Sequence, residues 1–440
     1  MSGASGIETE MPGHRAVLAI ALPMMLAYLS TALVGVVSTA AVGRLADPEL
    51  SAGIAIAAIL FDLLLTSLSF LRSATLGLVA QAMGRGDVAE MRAVQLRALV
   101  LAMLLGSVIV ALSGPETRFG LPLLGAHGRV FAAARDYTLI RILSAPMALG
   151  NYAILGVLLG RGRASWGLAL QILLNGTNMA VCAWTVLALG WGVRGAAMAA
   201  FAGETVAFAA GLLLLWRWSG LFAAGARIAL SDRDGWRRMG VLNRDILIRT
   251  LALLFAFAFF TRQSAAFGAV VLAANAIHMQ FFALAANCLD GFAAAAEQLA
   301  GVMIGASNRV GFRRAVRLTF GWSLASGLAL TLAYFAIARP FVAVLTGAPL
   351  VRQAAMESLG WAALMPLAGA VAFQMDGIFI GASWSRDMRD MMLLSLAIFL
   401  LCWAVLAPLL GNSGLWIAFL VFLAIRGCTL GWRLRFRMRD

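Results

Sequence analysis

The stretch AANAIHMQFFALAANCLDGFAAAAEQLAG runs from Ala273 to Gly301 and is nearly all apolar, yet it contains Asp290 and Glu297. The two carboxylates are seven residues apart, so on a helix they point in roughly the same direction. The stretch is longer than the roughly 20 apolar residues that cross a bilayer. It therefore predicts a membrane-spanning helix that carries two acidic side chains.

Apolar stretches of this length recur along the whole chain. Of its 440 residues, 62% are hydrophobic and only 12% are charged, whereas a soluble domain has about 45–50% apolar and about 25% charged residues. This composition predicts an all-α polytopic membrane protein. We expect twelve transmembrane helices, near residues 16–43, 52–83, 93–113, 131–160, 166–189, 194–217, 243–267, 272–305, 315–338, 354–382, 390–410 and 413–432.

The arginines between these spans predict the orientation. With the N-terminus in the cytoplasm, 22 arginines fall on the cytoplasmic side and 7 on the opposite side. Cytoplasmic loops carry the excess of basic residues. We therefore expect both termini in the cytoplasm and the chain in a bacterial inner membrane. The net charge of +14 does not predict nucleic-acid binding, because the arginines lie between apolar runs rather than on one basic face.

The two halves of the chain repeat each other. LGVLLGRG (Leu155–Gly162) matches DGIFIGAS (Asp376–Ser383), so that Gly156 in the first copy corresponds to Gly377 in the second. Six predicted spans separate the copies, and an even number makes the repeats parallel, a layout known among secondary transporters. We expect two parallel six-helix lobes, residues 1–218 and 243–440, joined by a cytoplasmic linker at 219–242.

Several motifs are similar to those of one transporter family. LPMMLAYLSTALVGVVSTAAVGRL in the first span and FLRSATLGLVAQAMGRGD at the end of the second resemble multidrug and toxic compound extrusion (MATE) transporters. NRDILIRT, LDGFAAAAE and DGIFIGASWSRDMRDMM resemble the branch related to DNA-damage-inducible protein F. LQILLNGTNMAVCAWTVLALGWGVRGAAMA resembles the fifth and sixth helices of the same family. The resemblance covers nearly the whole chain, with these six motifs in the same order.

This resemblance implies an antiporter, not an enzyme. Such a protein exports amphipathic, often cationic small molecules and takes up H+ or Na+ in exchange, while its lobes rock about a central cavity. The resemblance also suggests a monomer in the lipid bilayer. We expect no cofactor and no nucleic-acid partner. We also expect no metal site, since the four cysteines lack metal-ligand spacing.

Ionisable residues inside spans are the candidates for function, because they are costly there. Asp290, Glu297 and Asp376 are the ion-coupling candidates of the second lobe. Arg249 lies at a depth similar to that of Glu297, so we expect these two to form a structural ion pair. Asp290 is deeper and has no obvious basic residue level with it, which suits a proton carrier.

Three other charges and one histidine are expected to have simpler roles. Asp245 at the start of the seventh span is predicted to be a solvated charge at a helix N-terminus. Asp62 and Arg426 are expected to lie near a boundary or to extend toward it. His278, alone in the eighth span, is expected to make a local hydrogen bond rather than to relay protons.

The first lobe departs from the family pattern. The resemblance implies an aspartate in the first span where this chain has Ser38, and a second acid four residues after Asn178 where it has Cys182. Neither residue supplies a negative charge near neutral pH. We therefore expect that coupling has moved to the second lobe or is weak or lost. The substrate-cavity candidates are Ser38, Asn178, Cys182, Asn151 and Glu204.

Two other functions remain open at this level. A flippase for a lipid-linked precursor would need a basic cavity for pyrophosphate, and only Arg72 and Arg141 are deep bases in the first lobe. The third possibility is an intramembrane enzyme or a membrane assembly factor. No HExxH or GxSxG motif supports an enzyme.

Overall fold

The computed structural model describes residues 11–43, 47–219 and 230–438. These residues form helices joined by short turns, with no strand in the described ranges. In the first half the long helices are α1 (His14–Gly43), α2 (Pro48–Ser67), α3 (Phe70–Gly84), α4 (Val88–Ala111), α5 (Gly128–Arg141), α6 (Ala145–Gly160), α7 (Ala164–Cys182) and α8 (Gly192–Ser219). In the second half they are α9 (Arg233–Ala266), α10 (Ala269–Gly305), α11 (Arg309–Leu345), α12 (Pro349–Ala362), α13 (Met365–Gly381), α14 (Ser385–Leu410) and α15 (Asn412–Arg437).

The lengths of these helices fit a membrane protein. Ten helical segments in the described ranges are long and apolar enough to cross a bilayer, and the pair α12 and α13, bent by 45°, makes an eleventh. Helix α9 occupies the place of the predicted seventh span. The all-α fold with twelve membrane helices in two lobes is thereby confirmed.

The described chain divides into two compact units. One unit is Leu26–Asn243, and the other combines Met1–Met25 with Arg244–Asp440. The beginning of α1 therefore packs with the second half of the chain. Gly291 on α10 shows this packing, because a methyl group there would overlap the carbonyl oxygen of Ala21.

The internal repeat is visible in the backbone of both units. Residues with positive φ angles end helices at equivalent places, and some of these are glycine in one copy and serine in the other. The equivalent pairs are Gly86 and Ser307, Gly162 and Ser383, and Gly190 and Gly411.

The same repeat sets how closely helices pack within each unit. In the first unit a methyl group at Gly156 would overlap the carbonyl oxygen of Arg72, and in the second unit one at Gly377 would overlap that of Ala293. The two contacted residues, like the two glycines, are equivalent positions of the sequence repeat. The repeat therefore marks one tight crossing, α3 with α6 in one unit and α10 with α13 in the other.

A Gly377→Ala change is expected to destabilise the protein by about 1–3 kcal/mol, because the added methyl group forces α13 away from α10. Gly360→Ala is the matched control, since α12 has open space at that position and alanine is the better helix former. The measurement is the fraction of each purified variant that stays monodisperse in detergent after heating. Equal thermal midpoints for the two variants would contradict this packing.

The boundaries of the linker stay a prediction. The part of the linker that the structure describes, from residue 230 onward, has a defined structure. The carboxylate of Asp232 accepts hydrogen bonds from the backbone N–H groups of Asp234 and Gly235, at 3.1 Å each, which caps the start of α9. The Gly235 N–H holds the pKa of Asp232 below its usual value. Arg97 on α4, which is buried, reaches the same carboxylate at 2.7 Å.

Because α9 begins at Arg233, Asp245 lies more than three turns inside the helix. It is fully buried and contacts Arg389 at 2.9 Å and Arg244 at 3.1 Å, and it accepts a hydrogen bond from the Ser385 hydroxyl at 2.9 Å. The expectation of a solvated charge at a helix N-terminus is therefore wrong. A sequence pattern for the span alone could not show that the helix extends so far beyond it.

Candidate functional site

A buried group of charges occupies the second unit. Asp376 on α13 forms ion pairs with Arg249 of α9 and Arg426 of α15, both through the oxygen Oδ2. Asp376 is 4% exposed and Arg426 is 1% exposed. One carboxylate thus contacts two guanidinium groups inside the unit. The expectation that Arg426 extends to a boundary is wrong, because its ion-pair partner lies inside the unit.

Asp290 belongs to the same group of charges. Arg426 lies within electrostatic range of Asp290 on α10, as well as of Arg249. The expectation that no basic residue is level with Asp290 is therefore wrong. The twelfth span brings its arginine to that depth from the far end of the chain, and distance along the sequence gives no sign of this.

Glu297 lies two turns further along α10 and is buried at 3% exposure. A methyl group at Gly381 would overlap the backbone carbonyl oxygen of Glu297. This close contact lies one helical turn from the contact of Gly377 with Ala293. The ion pair that the structure shows for Arg249 is with Asp376. The pair of Arg249 with Glu297 stays a prediction.

Acidic groups outnumber basic groups among these five residues. Asp290, Glu297 and Asp376 are three carboxylates, and Arg249 and Arg426 are two guanidinium groups. A surplus negative charge at membrane depth is costly. The cost falls when one carboxylate takes up a proton or lies beside a cation.

The first unit holds a different polar group, centred on Glu204 of α8. Glu204 is 8% exposed, and its carboxylate accepts a hydrogen bond from the side-chain amide of Asn151 on α6 at 2.7 Å. Arg141 at the end of α5 approaches the other oxygen at 3.7 Å. The guanidinium also lies over the ring of Phe61, 4.2 Å from its centroid. Asn151 and Glu204 are thus brought together, as cavity candidates would be.

Asp62 adds a second carboxylate to this polar group. It is exposed on α2 and lies within electrostatic range of Arg141. The first unit therefore has two acids near one arginine, although Ser38 and Cys182 are not acids. The expectation of a boundary role for Asp62 did not anticipate this partner, because Arg141 is supplied by a different span.

The other cavity candidates lie on α7 and α1. Asn178 lies beside Gly203 of α8, the residue that precedes Glu204. Cys182, one turn on, is 1% exposed and packs among apolar residues such as Tyr137 and Val186. Ser38 is within α1, but its side chain lies outside the described residues.

Two hydrogen-bonded contacts of the first unit were not predicted. Arg72 of α3 donates to the hydroxyl of Tyr28 on α1 at 2.9 Å. Asn175 of α7 donates to the hydroxyl of Ser30 at 2.8 Å. Arg72 and Asn175 could be recognised in the sequence as polar side chains in apolar spans. Their partners could not, because they lie 44 and 145 residues away along the chain.

The prediction of a local hydrogen bond for His278 is confirmed. Its Nε2 lies 3.0 Å from the carbonyl oxygen of Ala355, and its Nδ1 lies 2.6 Å from the hydroxyl of Tyr334. A carbonyl oxygen only accepts, so the ring proton belongs on Nε2 and Nδ1 accepts from Tyr334. The ring is held in one orientation within the second unit.

Residues 23–184 and 246–409 each match the MatE family model, so the two halves are matched separately and most of the chain is covered. The chain belongs to the MATE family of transporters. Over 421 residues it is 34% identical to DNA damage-inducible protein F of Escherichia coli (strain K12), covering 95% of this chain and 92% of that protein. It is 28% identical over 454 residues to a probable multidrug resistance protein NorM of Rhizobium meliloti (strain 1021), covering 97% and 94%.

Solved MATE structures have the same fold as this MATE protein. A mutant of the Vibrio cholerae transporter VcmN superposes with a TM-score of 0.90 at 21% identity, covering 97% of both chains. An outward-facing conformation of a multidrug resistance MATE family transporter gives 0.87 at 18% identity, covering 100% of this chain and 98% of that chain. Together with the family match, these findings identify the chain as a polytopic membrane transporter of the MATE family rather than an enzyme.

Proposed function

We propose that this MATE transporter exports amphipathic, often cationic organic compounds by alternating access, in exchange for H+ or Na+. Relatives named as probable multidrug resistance proteins support the substrate class. The excess of 22 over 7 arginines supports a bacterial inner membrane location with both termini in the cytoplasm. A monomer in the bilayer, without nucleic acid, completes the proposal.

The carboxylates inside the second unit, Asp290, Glu297 and Asp376, carry the proposal of coupling. An exchanged ion shifts a conformational equilibrium only if it binds the two states with different affinity. The ion pairs of Asp376 with two arginines, and Asp290 within electrostatic range of Arg426, place acids inside the unit where a cation would be exchanged. Asp376 is the least suited of the three, because two arginines already hold its charge.

Asp290 is the best-suited carrier among the coupling candidates. It lies in mid-span on α10 and shares Arg426 with Asp376. Movement of α15 relative to α10 would change the distance from Arg426 to Asp290, and with it the affinity of Asp290 for a proton. Glu297 is the second candidate on the same helix. This leaves Asp376 as the anchor of the arginines.

The polar group of the first unit is the proposed substrate contact. Asn151, Asn178 and Glu204 border it, and the exposed Asp62 offers a negative charge to a cationic substrate. Ser38 and Cys182 are proposed members of the same cavity. A flippase is less well supported, because the deep bases Arg141 and Arg72 contact Glu204 and Tyr28 instead of forming a basic surface for pyrophosphate.

Cells that express the protein are expected to accumulate several-fold less of a lipophilic cationic dye than cells without it. The measurement is dye fluorescence per cell, before and after a protonophore removes the proton gradient. The protonophore should restore accumulation if H+ drives export. No difference across a broad panel of dyes and drugs, with the protein correctly inserted, would contradict multidrug export.

A further inference from the structure

A cavity that is separate from the buried charges lies at the end of the second unit, where α10 ends and α11 begins. It has a volume of about 290 Å³. The orientation proposed above places it on the cytoplasmic side. Its polar lining includes Ser307, Asn308, Arg309, Arg313 and Arg437.

The lining is basic. Arg309 and Arg313 are exposed, and Arg313 donates to the carbonyl oxygen of Met438 at 3.2 Å. Arg437 forms an ion pair with the buried Asp387, whose Oδ2 lies 2.9 Å from Nε and 2.8 Å from Nη2 of the guanidinium group. No acidic side chain lines the cavity in the described part of the chain. Guanidinium groups present planar donors that match phosphate oxygens.

The cavity also has an apolar wall. Phe312 and Trp384 meet edge to face with their ring centroids 5.8 Å apart, and Met303 and Ile304 lie beside them. Tryptophan is typical of the membrane–water boundary. A basic mouth next to an apolar wall fits a ligand that is itself amphipathic and carries a phosphate.

The equivalent place in the first unit keeps one of the two exposed arginines, since Arg313 corresponds to Arg92, but differs at two other positions. In the internal repeat, Asn308 corresponds to Asp87 and Arg309 to Val88. Both Asn308 and Asp87 cap the following helix, accepting from Gly311 N–H at 2.8 Å and Glu90 N–H at 2.9 Å. The capping role therefore needs no neutral residue, and the change from acid to amide in the second unit removes a carboxylate from the lining of the cavity.

We propose that this cavity binds the phosphate headgroup of an anionic phospholipid from the adjacent leaflet. Arg309 and Arg313 contact the phosphate, and the apolar wall receives the start of the acyl chains. Basic pockets between membrane helices on the cytoplasmic side bind anionic headgroups in this way. The apolar wall beside the arginines favours a lipid over a soluble phosphate compound.

The test is a titration of the purified full-length protein with phosphatidylglycerol, followed by native mass spectrometry. We expect one phosphatidylglycerol to bind in preference to phosphatidylcholine. The double variant Arg309→Gln with Arg313→Gln should bind about thirtyfold more weakly, from the loss of two basic contacts at the membrane surface. The matched control is Arg314→Gln with Arg317→Gln, which removes the same charge from exposed positions of α11 outside the lining.

Asn308→Asp is the second variant, since aspartate preserves the helix cap and restores the charge found at Asp87. It should weaken phosphatidylglycerol binding while leaving the thermal midpoint unchanged. Equal losses in the two arginine double variants would overturn the proposal, because binding would then reflect only the overall charge of that face. So would displacement of the lipid by an equal concentration of inorganic phosphate, or equal binding of phosphatidylcholine. Dye export can be measured on the same variants, so failure of this site and failure of the transport proposal are separate results.

Discussion

An Asp376→Asn variant is expected to lose about 3–5 kcal/mol of stability, because Arg249 and Arg426 then face each other in the interior without the carboxylate that holds both. The interior location makes this loss large, since Asp376 and Arg426 are 4% and 1% exposed. The measurement is the yield and thermal midpoint of the membrane-inserted protein in detergent.

A second substitution separates charge from packing in this prediction. Arg426→Gln combined with Asp376→Asn removes one stranded charge, so the double variant should regain part of the lost stability. Arg426→Gln alone should cost less than Asp376→Asn, because the ion pair of Arg249 with Asp376 remains. If Asp376→Asn is as stable as the parent protein, this group of charges does not hold the second unit together.

An Asp290→Asn variant is expected to lose proton-driven transport down to the level of empty liposomes while it stays folded. The amide has no proton to exchange, whereas Arg426 keeps its pair with Asp376 and so is not stranded. The measurement is substrate movement in proteoliposomes under an imposed pH gradient, with equal amounts of each variant. Asp290→Glu should retain part of the transport, because it restores a carboxyl group.

The first unit provides the matched control. Asp62→Asn is the same chemical change at a carboxylate near Arg141, and Ser38→Ala removes the hydroxyl at the position where the family resemblance implied an acid. Both are expected to change substrate affinity more than proton coupling. Proton-driven transport that survives in Asp290→Asn and disappears in Asp62→Asn would place coupling in the first unit instead.

The helices could be predicted because their signals are local. A span needs about 20 apolar residues, and that length is readable from the chain. The twelve predicted spans correspond to described helices, although three of them, 52–83, 131–160 and 354–382, are each divided into two helices. Some helix ends also differ, since Arg233–Leu242 extends α9 beyond the predicted span. The internal repeat was readable for the same reason, because each copy preserves its own glycines at one tight crossing.

The candidate site was only partly predictable. The cost of a charge in the membrane identifies which residues need partners, and Asp290, Glu297, Asp376 and Arg249 were recognised on that basis. Depth along a span predicts that Arg249 and Glu297 lie at the same level of the membrane. Depth ignores which way each helix faces and which helices are neighbours.

The sequence by itself determined the class of the protein, its spans, its internal repeat and the set of ionisable residues inside the membrane, because hydrophobicity and periodicity are properties of consecutive residues. Only the tertiary structure decided which charges meet. Arg249, Asp376 and Arg426 come from three different helices, and Arg141 reaches Glu204 from another span of its unit. An electrostatic interaction depends on the distance between two groups in space, and helix packing sets that distance across 50 to 127 residues of chain.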